Sequence, residues 1–360
     1  MRKPLTTQPR DLELELHADC ARYYADPLGF VRGMYPWPIH GEPGPDVWQA
    51  RVLREIGARV KQRKFNGSDS VAPIRKALST GHGIGKTALF AWLVDWIMST
   101  RRDCRGTVTA NTADQLEKKT WAAIQEWTKK CFTAHWFGIN NNIMFRQGFR
   151  ESWFCGPISC AKENSDAYQG QHAKGSTSFY LFDEASGIPQ EIWNAAEGGL
   201  TDEPIFVVGG QPLRNSGAFH QACFGDGRDR WHPDIIDARE CKFSSKSLIA
   251  EWIETHPGGE DSDFVRVRVR GLPPRASELQ FIDQDRLWQA QRRPLPLTLS
   301  DEPLVAGVDV SGGGEAWNVV RFRRGLDARF QAIRIPGEAT RTDRSAFLAK
   351  LADVLKGGVG

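Results

Sequence analysis

The residues best suited to chemistry in this sequence form a glycine-rich run that ends in a lysine and a threonine. Glycine permits positive φ, so successive backbone N–H groups of such a run can point at one anion. Lys86 is expected to reach the β- and γ-phosphates of a nucleotide, and the Thr87 hydroxyl to ligate Mg²⁺. The usual spacing requires glycine at position 80, where Thr80 stands. The alternative is a glycine-rich turn with an accidental Lys-Thr pair. The run is Ser79-Thr80-Gly81-His82-Gly83-Ile84-Gly85-Lys86-Thr87.

A strand and a helix are predicted on the two sides of this run. Residues Ile74 to Leu78 can form the strand, and the sequence from Thr87 onward has helical periodicity. The N-terminus of that helix would face the phosphates. Its apolar side chains are spaced to form one stripe, which favours packing against a sheet. The stripe consists of Leu89, Leu93, Trp96 and Ile97.

A second candidate segment, residues 178–184, places two carboxylates after an apolar, aromatic-rich stretch. This pattern predicts a buried central strand, Ser178 to Phe182, that ends at a polar site. In P-loop enzymes the first acid, here Asp183, holds Mg²⁺. The second, here Glu184, can orient or deprotonate water. An acidic pair also occurs at ordinary helix starts, where it complements the helix dipole. Together with the glycine-rich run, however, the pair favours a nucleotide hydrolase over a kinase.

Length and composition bound the class of protein. The 360 residues suffice for two or three domains, and the formal charge of +3 neither requires nor excludes nucleic acid. Seven cysteines without paired CxxC spacing indicate reduced thiols in a cytosolic protein. The sequence shows no signal peptide and no stretch long enough to cross a bilayer. The basic runs, including residues 51–64 and 266–270, are weak signals alone. Most of the 13 tryptophans are interpreted as core residues, including Trp92, Trp96, Trp121 and Trp127.

Strand and helix signals alternate along the first 210 residues or so. This alternation predicts an α/β fold, with a mostly parallel sheet and helices on both faces. Thr112 is expected to cap a helix through Trp127, with Leu116, Thr120 and Ala123 along one side. The other predicted elements are a helix from Leu12 to Tyr24, a helix from Val47 to Lys61 capped by Asp46, and strands at Arg105 to Ala110, Ser152 to Phe154 and Ile205 to Gly210.

The residue composition changes towards the C-terminus, where a linker-like stretch is followed by a new set of strand signals. Residues 291–303 have the composition of a linker, and an apolar strand with an acid, Asp309, follows at 304–310. Two more strands, at 318–322 and 330–335, and a helix from Ser345 to Lys356 complete the pattern. They predict the first part of a second α/β domain.

The motifs described so far resemble those of one family, the large terminase subunit of tailed bacteriophages and prophages. The resemblance covers nearly the whole chain from about residue 25. The residues that carry it are Gly81-His82-Gly83-Ile84-Gly85-Lys86-Thr87, Tyr168-Gln169-Gly170-Gln171-His172-Ala173, Leu181-Phe182-Asp183-Glu184-Ala185-Ser186-Gly187-Ile188-Pro189 and Trp193-Asn194-Ala195-Ala196-Glu197-Gly198. This resemblance implies a P-loop ATPase with an added catalytic glutamate, followed by an RNase H-like nuclease. The implied divisions are an N-terminal extension (1–45), the ATPase domain (46–290), a linker (291–303) and part of the nuclease domain (304–360).

The resemblance also implies roles for further residues of the ATPase. Gln211 stands where the family couples hydrolysis to movement, and its amide is expected to sense the γ-phosphate or the water. Trp48 and Gln49 match a segment that contacts adenine, by stacking and by hydrogen bonding. Trp48 can equally be buried on an amphipathic helix. Many relatives carry an arginine inside this loop, which stabilises the transition state. The loop of this chain has no arginine, and Arg214 is a candidate for the missing charge.

For the second domain the resemblance implies a two-metal nuclease using Mg²⁺ or Mn²⁺. Asp309 matches its first acid, although an Asp before a glycine-rich loop can also simply start a turn. Glu315 lies nearby but has the position of a hairpin residue. The other acids are expected beyond Gly360, so we expect the nuclease site to be incomplete in this chain.

The function implied is an ATP- and Mg²⁺-dependent motor that moves double-stranded DNA into a prohead in the host cytoplasm. The implied partners are the portal protein, the terminase small subunit and further copies of the chain in a ring, without a membrane. Two alternatives stay open. One is a helicase-like DNA translocase of another system, and the other is a nucleotide-binding assembly module without catalysis.

Overall fold

Two compact units make up the chain, residues Met1–Asp283 and Gln284–Gly360. The structure is a computed structural model and describes residues 9–169, 173–275, 290, 292, 294, 302–311, 316–337 and 344–357. Most of the predicted linker at 291–303 lies outside the described residues, and the predicted domain boundaries stay a prediction. None of the described helices is both long enough and apolar enough to cross a bilayer.

An eight-stranded sheet forms the centre of the first unit, in the order β3-β4-β5-β2-β6-β7-β1-β8. The six strands from β5 to β8 in that order pair in parallel, and β3 and β4 add an antiparallel edge. The strands are β1 (Ile74–Thr80), β2 (Arg105–Thr109), β3 (Phe137–Ile139), β4 (Met144–Arg146), β5 (Phe154–Pro157), β6 (Ser178–Asp183), β7 (Ile205–Gly210) and β8 (Asp234–Ile236). The predicted parallel α/β sheet is confirmed, with β5 starting two residues later than expected.

Both faces of this sheet are buried, because side chains alternate between two cores along each central strand. In β6, Phe179 and Leu181 belong to the larger core, whereas Tyr180 and Phe182 belong to the smaller one. All residues of β6 and β7 are buried. Continuous burial explains why these strands appear in the sequence as unbroken apolar runs and not as alternating patterns.

Helices flank the sheet and connect its strands. They are α1 (Pro9–Arg22), α2 (Pro27–Met34), α3 (Val47–Arg63), α4 (Lys86–Thr100), α5 (Ala113–Gln115), α6 (Ala122–Lys130), α7 (Ser165–Gln169), α8 (Gln190–Gly198), α9 (Ala218–Cys223), α10 (Arg228–Trp231), α11 (Lys246–Thr255) and α12 (Asp263–Arg268). Asp46 caps α3 as predicted: its carboxylate accepts from the Val47 N–H, and Gln49 completes a capping box.

The four residues of the predicted apolar stripe on α4 are buried, and burial extends well beyond that stripe. Every residue from Leu89 to Ser99 is buried, so the helix is enclosed on nearly all sides. Its polar residue Asp95 is satisfied inside the core by Tyr35 and Thr128, whose hydroxyls donate to it at 2.5 and 2.7 Å. Burial raises the pKa of Asp95 to about 7. The first helix after the phosphate loop is therefore the central helix of the unit and not an amphipathic surface helix.

The predicted continuous helix from Thr112 to Trp127 is also corrected. Thr112 does cap its start, but a π-helical turn, Leu116–Trp121, separates α5 from α6. One extra residue in that turn shifts the helical phase. The side that faces the core consequently passes through Leu116, Thr120, Trp121, Ile124 and Thr128. Ala123 and Trp127, expected on that side, are only half-buried.

Within its described residues, the second unit contains a three-stranded antiparallel sheet in the order β11-β10-β9 and a helix near the end of the chain. Its elements are β9 (Leu304–Asp309), β10 (Asn318–Arg324), β11 (Ile333–Ile335) and α13 (Arg344–Gly357). The predicted strands and helix are present close to their expected positions. β10 buries Asn318, Val320 and Phe322 on one face, whereas β9 is largely exposed.

Candidate active site

Three strands of the first unit bring the predicted site residues to one edge of the sheet. β7 lies between β1 and β6, and the register aligns their ends: Ser79 pairs with Gly210, and Gly209 pairs with Asp183. The glycine-rich run, Gln211 and the acidic pair each follow one of these strands. Ligands of open α/β sheets bind at the carboxyl ends of the strands. The sequence signals, up to about 130 residues apart in the chain, therefore converge on one place.

The second half of the loop has the geometry of an anion cradle. Gly83 and Gly85 have φ values of +70° and +85°, in the region that favours glycine. Gly85 is the N-cap of α4 and supplies no side chain to cap the helix. The N–H groups at the N-terminus of this helix are therefore available to bind an anion, which the positive end of the helix dipole also stabilises.

The first half of the loop is fixed by backbone contacts, which explains the departure from the usual spacing. The Gly81 N–H donates to the Ile236 carbonyl at 3.1 Å, and the His82 N–H donates to the Arg268 carbonyl at 2.7 Å. A Cβ on Gly81 would lie 2.4 Å from the Val269 carbonyl oxygen. Glycine is thus required at 81 for this close approach, whereas Thr80 is the buried last residue of β1 and needs no special φ.

Lys86 joins the loop to both predicted acids. Its Nζ donates to Asp183 Oδ1 and, at 3.0 Å, to Glu184 Oε1. Burial alone would lower the pKa of Lys86, but the two carboxylates outweigh this effect and hold its pKa above the usual value. The lysine is therefore charged at neutral pH, and the loop and the end of β6 form one electrostatic unit.

Glu184 is held in an unusual backbone conformation. Its φ of +48° lies in the left-handed region, which a glutamate seldom adopts. Its own N–H donates to Asp183 Oδ1 at 3.0 Å. A Cβ on Gly210 would lie 3.1 Å from Glu184 Cα, so β7 also passes close to this residue. Strained residues of this kind cost of order 1–3 kcal/mol and concentrate at functional sites.

Thr120 is a site residue that the sequence did not reveal. Its side chain is buried in the π-helical turn, and its Oγ1 donates to Asp183 Oδ2 at 2.8 Å. Thr120 lies on the predicted side of the helix with Leu116, but its helical spacing gave no sign that it contacts an acid 63 positions away. Lys86 and Thr120 together bind both oxygens of the Asp183 carboxylate and fix its orientation.

Replacing Thr120 with valine is expected to weaken the use of divalent metal. Valine keeps the shape but removes the donor that orients Asp183, and loss of such supporting contacts typically costs about 10- to 100-fold. The measurement is the Mg²⁺ concentration that gives half-maximal nucleotide binding. Thr128→Val is the matched control, since Thr128 is also buried and donates to a buried aspartate, Asp95. Equal Mg²⁺ dependence of the two variants would contradict this role.

The donors at this edge suit Mg²⁺. Asp183 offers a carboxylate and Thr87, in the first turn of α4, a hydroxyl; Mg²⁺ prefers such hard oxygen ligands and usually keeps other positions for water and phosphate. Within the described residues, no group of three or more His, Cys, Asp or Glu side chains could hold a metal alone. The site thus fits an ion that arrives together with phosphate.

A cavity of about 350 Å³ opens beside the loop. Gly83, Gly85 and Gln49 contribute to its wall, and the Gln49 amide donates to the Gly85 carbonyl at 2.9 Å. Most of the wall is aromatic or apolar, including Trp37, Trp92, Trp127 and Phe243. Trp48 is buried in the core and does not line this cavity. Its predicted stacking on adenine stays a prediction, as does the contact of Gln49 with a base.

Of the remaining predicted residues, one lies at this edge of the sheet and the others lie elsewhere. Gln211 follows β7 at the site, whereas Arg214 is exposed. Asp309 is exposed at the end of β9 in the second unit, and its metal-binding role stays a prediction. Glu315 and residues 170–172 of the predicted motif lie outside the described residues.

Sequence reasoning missed most of the cavity wall. Phe243 is more than 150 positions from the loop and follows no recognisable motif. Trp92 is a core residue as predicted, and the half-buried Trp127 packs against the core, but both also face the cavity. Helical spacing identifies the buried side of an element and gives no information on whether a void lies against it.

The sheet order is that of the P-loop NTPase fold with an extra strand, β7, between the strand before the glycine-rich run and the strand that ends in the acidic pair. No protein-family model and no curated protein matches the chain. Among solved structures, it is similar to a large terminase from a thermophilic bacteriophage, at 15% identity and a TM-score of 0.46, over 78% of this chain and 68% of that one. The same phage enzyme in complex with ATP-γ-S matches at 14% identity and a TM-score of 0.43, over 78% of this chain and 69% of that one.

A third similar structure is the large terminase ATPase domain of Thermus phage P74-26, in a mutant form. Its identity is 14% and its TM-score 0.44, over 64% of this chain and 94% of that domain.

Proposed function

We propose that the first unit hydrolyses ATP and that the hydrolysis drives movement of double-stranded DNA, as in a phage packaging motor. The observation that carries the ATPase proposal is the contact of Lys86 with both Asp183 and Glu184 beside a glycine cradle. The motifs that resemble those of terminase large subunits support DNA as the substrate of movement. The portal, the small subunit and a ring of copies belong to this proposal as partners.

In this proposal Lys86 exchanges partners when nucleotide binds. Without ligand its ammonium group neutralises Asp183 and Glu184. The β- and γ-phosphates of ATP carry more negative charge than the two carboxylates, and the amides of the loop hold them next to α4. Lys86 then turns to the phosphates, which releases Asp183 for Mg²⁺ and Glu184 for water. Mg²⁺ bound at Asp183 and Thr87 would neutralise charge on the phosphate oxygens.

Hydrolysis assigns distinct roles to the released acids. The oxygen of a water molecule forms a bond to the γ-phosphorus while the bond from that phosphorus to the β–γ bridging oxygen breaks, leaving the electron pair on ADP. Glu184 accepts the proton that the water loses. Lys86 stabilises negative charge on the phosphate oxygens in the transition state. Asp183 takes no proton; Thr120 keeps it oriented.

The cavity beside the loop is proposed to hold the nucleobase. Its volume of about 350 Å³ exceeds that of one purine, and aromatic walls suit a flat ring. Within the described residues the buried indole N–H of Trp92 has no hydrogen-bond partner, and Trp92 lines this cavity. Purine nitrogens are acceptors, so a base would satisfy this donor.

Phosphate release from ATP and Mg²⁺ by the purified chain tests the function. We expect release that exceeds that of Lys86→Ala and that rises when linear double-stranded DNA is added. Release stimulated by single-stranded DNA instead would favour a helicase-like translocase. Nucleotide binding without release would favour an assembly module.

A further inference from the structure

We infer that His82 is a positioning residue that orients the Gln211 amide towards the reacting end of the nucleotide. This inference rests on the proposed ATPase function and adds a residue to it. The contact that carries it joins His82 Nδ1 and Gln211 Nε2 at 3.1 Å, across 129 positions of sequence.

The position of Gln211 connects it to the reacting groups. It directly follows Gly209 and Gly210 at the end of β7. A Cβ on Gly209 would lie 3.1 Å from Lys86 Cδ, and one on Gly210 would lie 3.1 Å from Glu184 Cα. The glutamine thus emerges next to the lysine that meets phosphate and the glutamate that meets water.

The Gln211 amide has one end paired and one end free. Its residue is only 8% exposed, and its Oε1 is buried without a hydrogen-bond partner among the described residues. A buried acceptor without a partner is costly, which indicates that a ligand supplies the missing donor. A water molecule about to attack phosphate is a donor of this kind.

His82 decides which end of the amide is free. The Gln211 Nε2 group can only donate, so this contact is a hydrogen bond in the His82 tautomer that carries its proton on Nε2 and leaves Nδ1 as the acceptor. Turning the amide by 180° would exchange its oxygen and nitrogen and place a donor where the free acceptor now lies. An acceptor at position 82 therefore selects the orientation in which Gln211 can hold water.

The backbone at His82 is fixed independently of its side chain. The His82 N–H donates to the Arg268 carbonyl, and the Gly81 N–H donates to the Ile236 carbonyl. The imidazole itself is on an exposed residue and fills no core position. A substitution at 82 is therefore expected to change the contact with Gln211 without displacing the loop.

A double-mutant cycle in the full chain tests the inference. His82→Leu removes the acceptor, and we expect kcat for ATP to fall about five- to tenfold, as for loss of one hydrogen bond. The dissociation constant of ADP should stay within about twofold, because the amides and Lys86 that bind the diphosphate are unchanged. His82→Asn supplies an oxygen acceptor and should restore most of the loss. In a Gln211→Leu background, His82→Leu should have no further effect.

Each outcome separates this inference from the proposed function. Wild-type kcat in His82→Leu, or independent losses that multiply in the double variant, would overturn the positioning role while leaving the ATPase intact. Absence of phosphate release by the wild-type chain would overturn the ATPase proposal instead. If the wild-type chain releases no phosphate, the orientation of the Gln211 amide is tested by binding alone. The preference for ATP-γ-S over ADP should then fall in His82→Leu and recover in His82→Asn. An unchanged preference in all variants rejects the inference.

Discussion

Lys86→Ala is expected to abolish both nucleotide binding and phosphate release. Lys86 is the only lysine or arginine in the glycine-rich run, so no other cation of the loop can neutralise the β- and γ-phosphates. Loss of one preorganised donor already costs about 10²- to 10³-fold in turnover. Here the same change also leaves Asp183 and Glu184 without their cation, and their repulsion of phosphate adds to the loss. Calorimetric titration with ATP and a phosphate-release assay measure the two effects.

Lys76→Ala is the matched control for this variant. Lys76 lies on β1, is buried like Lys86, and also contacts two carboxylates, those of Glu55 and Asp234. Its removal is expected to reduce stability, since a buried ion-pair network loses its cation, but to leave ATP binding intact. Similar losses of binding in both variants would mean that Lys86 matters for folding and not for phosphate.

The strands and the candidate residues at their ends could be identified from sequence because their signals are local and redundant. β6 and β7 are buried on both faces, so the residues between their ends are apolar or small. Each apolar run ends at a polar candidate residue, Asp183 for β6 and Gln211 for β7. The glycines at 83 and 85 are required by positive φ, a property of single residues. Parallel pairing then aligns the strand ends, which is why signals far apart in sequence converge.

The features that sequence did not reveal depend on contacts between distant segments or on helix phase. Thr120 contacts Asp183 across 63 positions of sequence, and its residue type does not mark that contact. The π-helical turn moves Trp121 and Ile124 to the core-facing side in place of Ala123, and no residue type marks such a turn. The enclosure of α4 follows from packing of α2 and α6 around it, which its own periodicity cannot show. Phe243 reaches the cavity from a loop without a motif. These are tertiary effects that override local pattern.

The unusual backbone of Glu184 links the predicted chemistry to the observed structure. The sequence predicts a role with water for this residue because it follows Asp183, the proposed ligand of Mg²⁺. The structure adds that its φ of +48° has a cost in strain, and that its side chain is 32% exposed while Asp183 is nearly enclosed at 5%. An acid that must exchange a proton with water benefits from such access. With this backbone conformation, Glu184 lies close to Gly210 at the end of β7.

Glu184→Gln is therefore expected to bind ATP normally and to lose about 10²- to 10⁴-fold in phosphate release. Glutamine has nearly the same size and can adopt the same backbone, but its amide cannot accept the proton that water loses. Lys86 keeps Asp183 as a partner, so the loop should retain its geometry and its affinity. Binding is measured by titration with ATP, and release in a single-turnover assay that is independent of product dissociation.

Glu197→Gln controls for the loss of a partly buried, ion-paired glutamate. Glu197 lies on α8, contacts Arg75 and Arg230, and is 25% exposed, close to the value for Glu184. Because it lies outside the site, we expect its replacement to affect stability and not turnover. A Glu184→Gln chain that hydrolyses ATP at the wild-type rate would show that the water is activated by another group, and the acidic pair after β6 would then serve the metal alone.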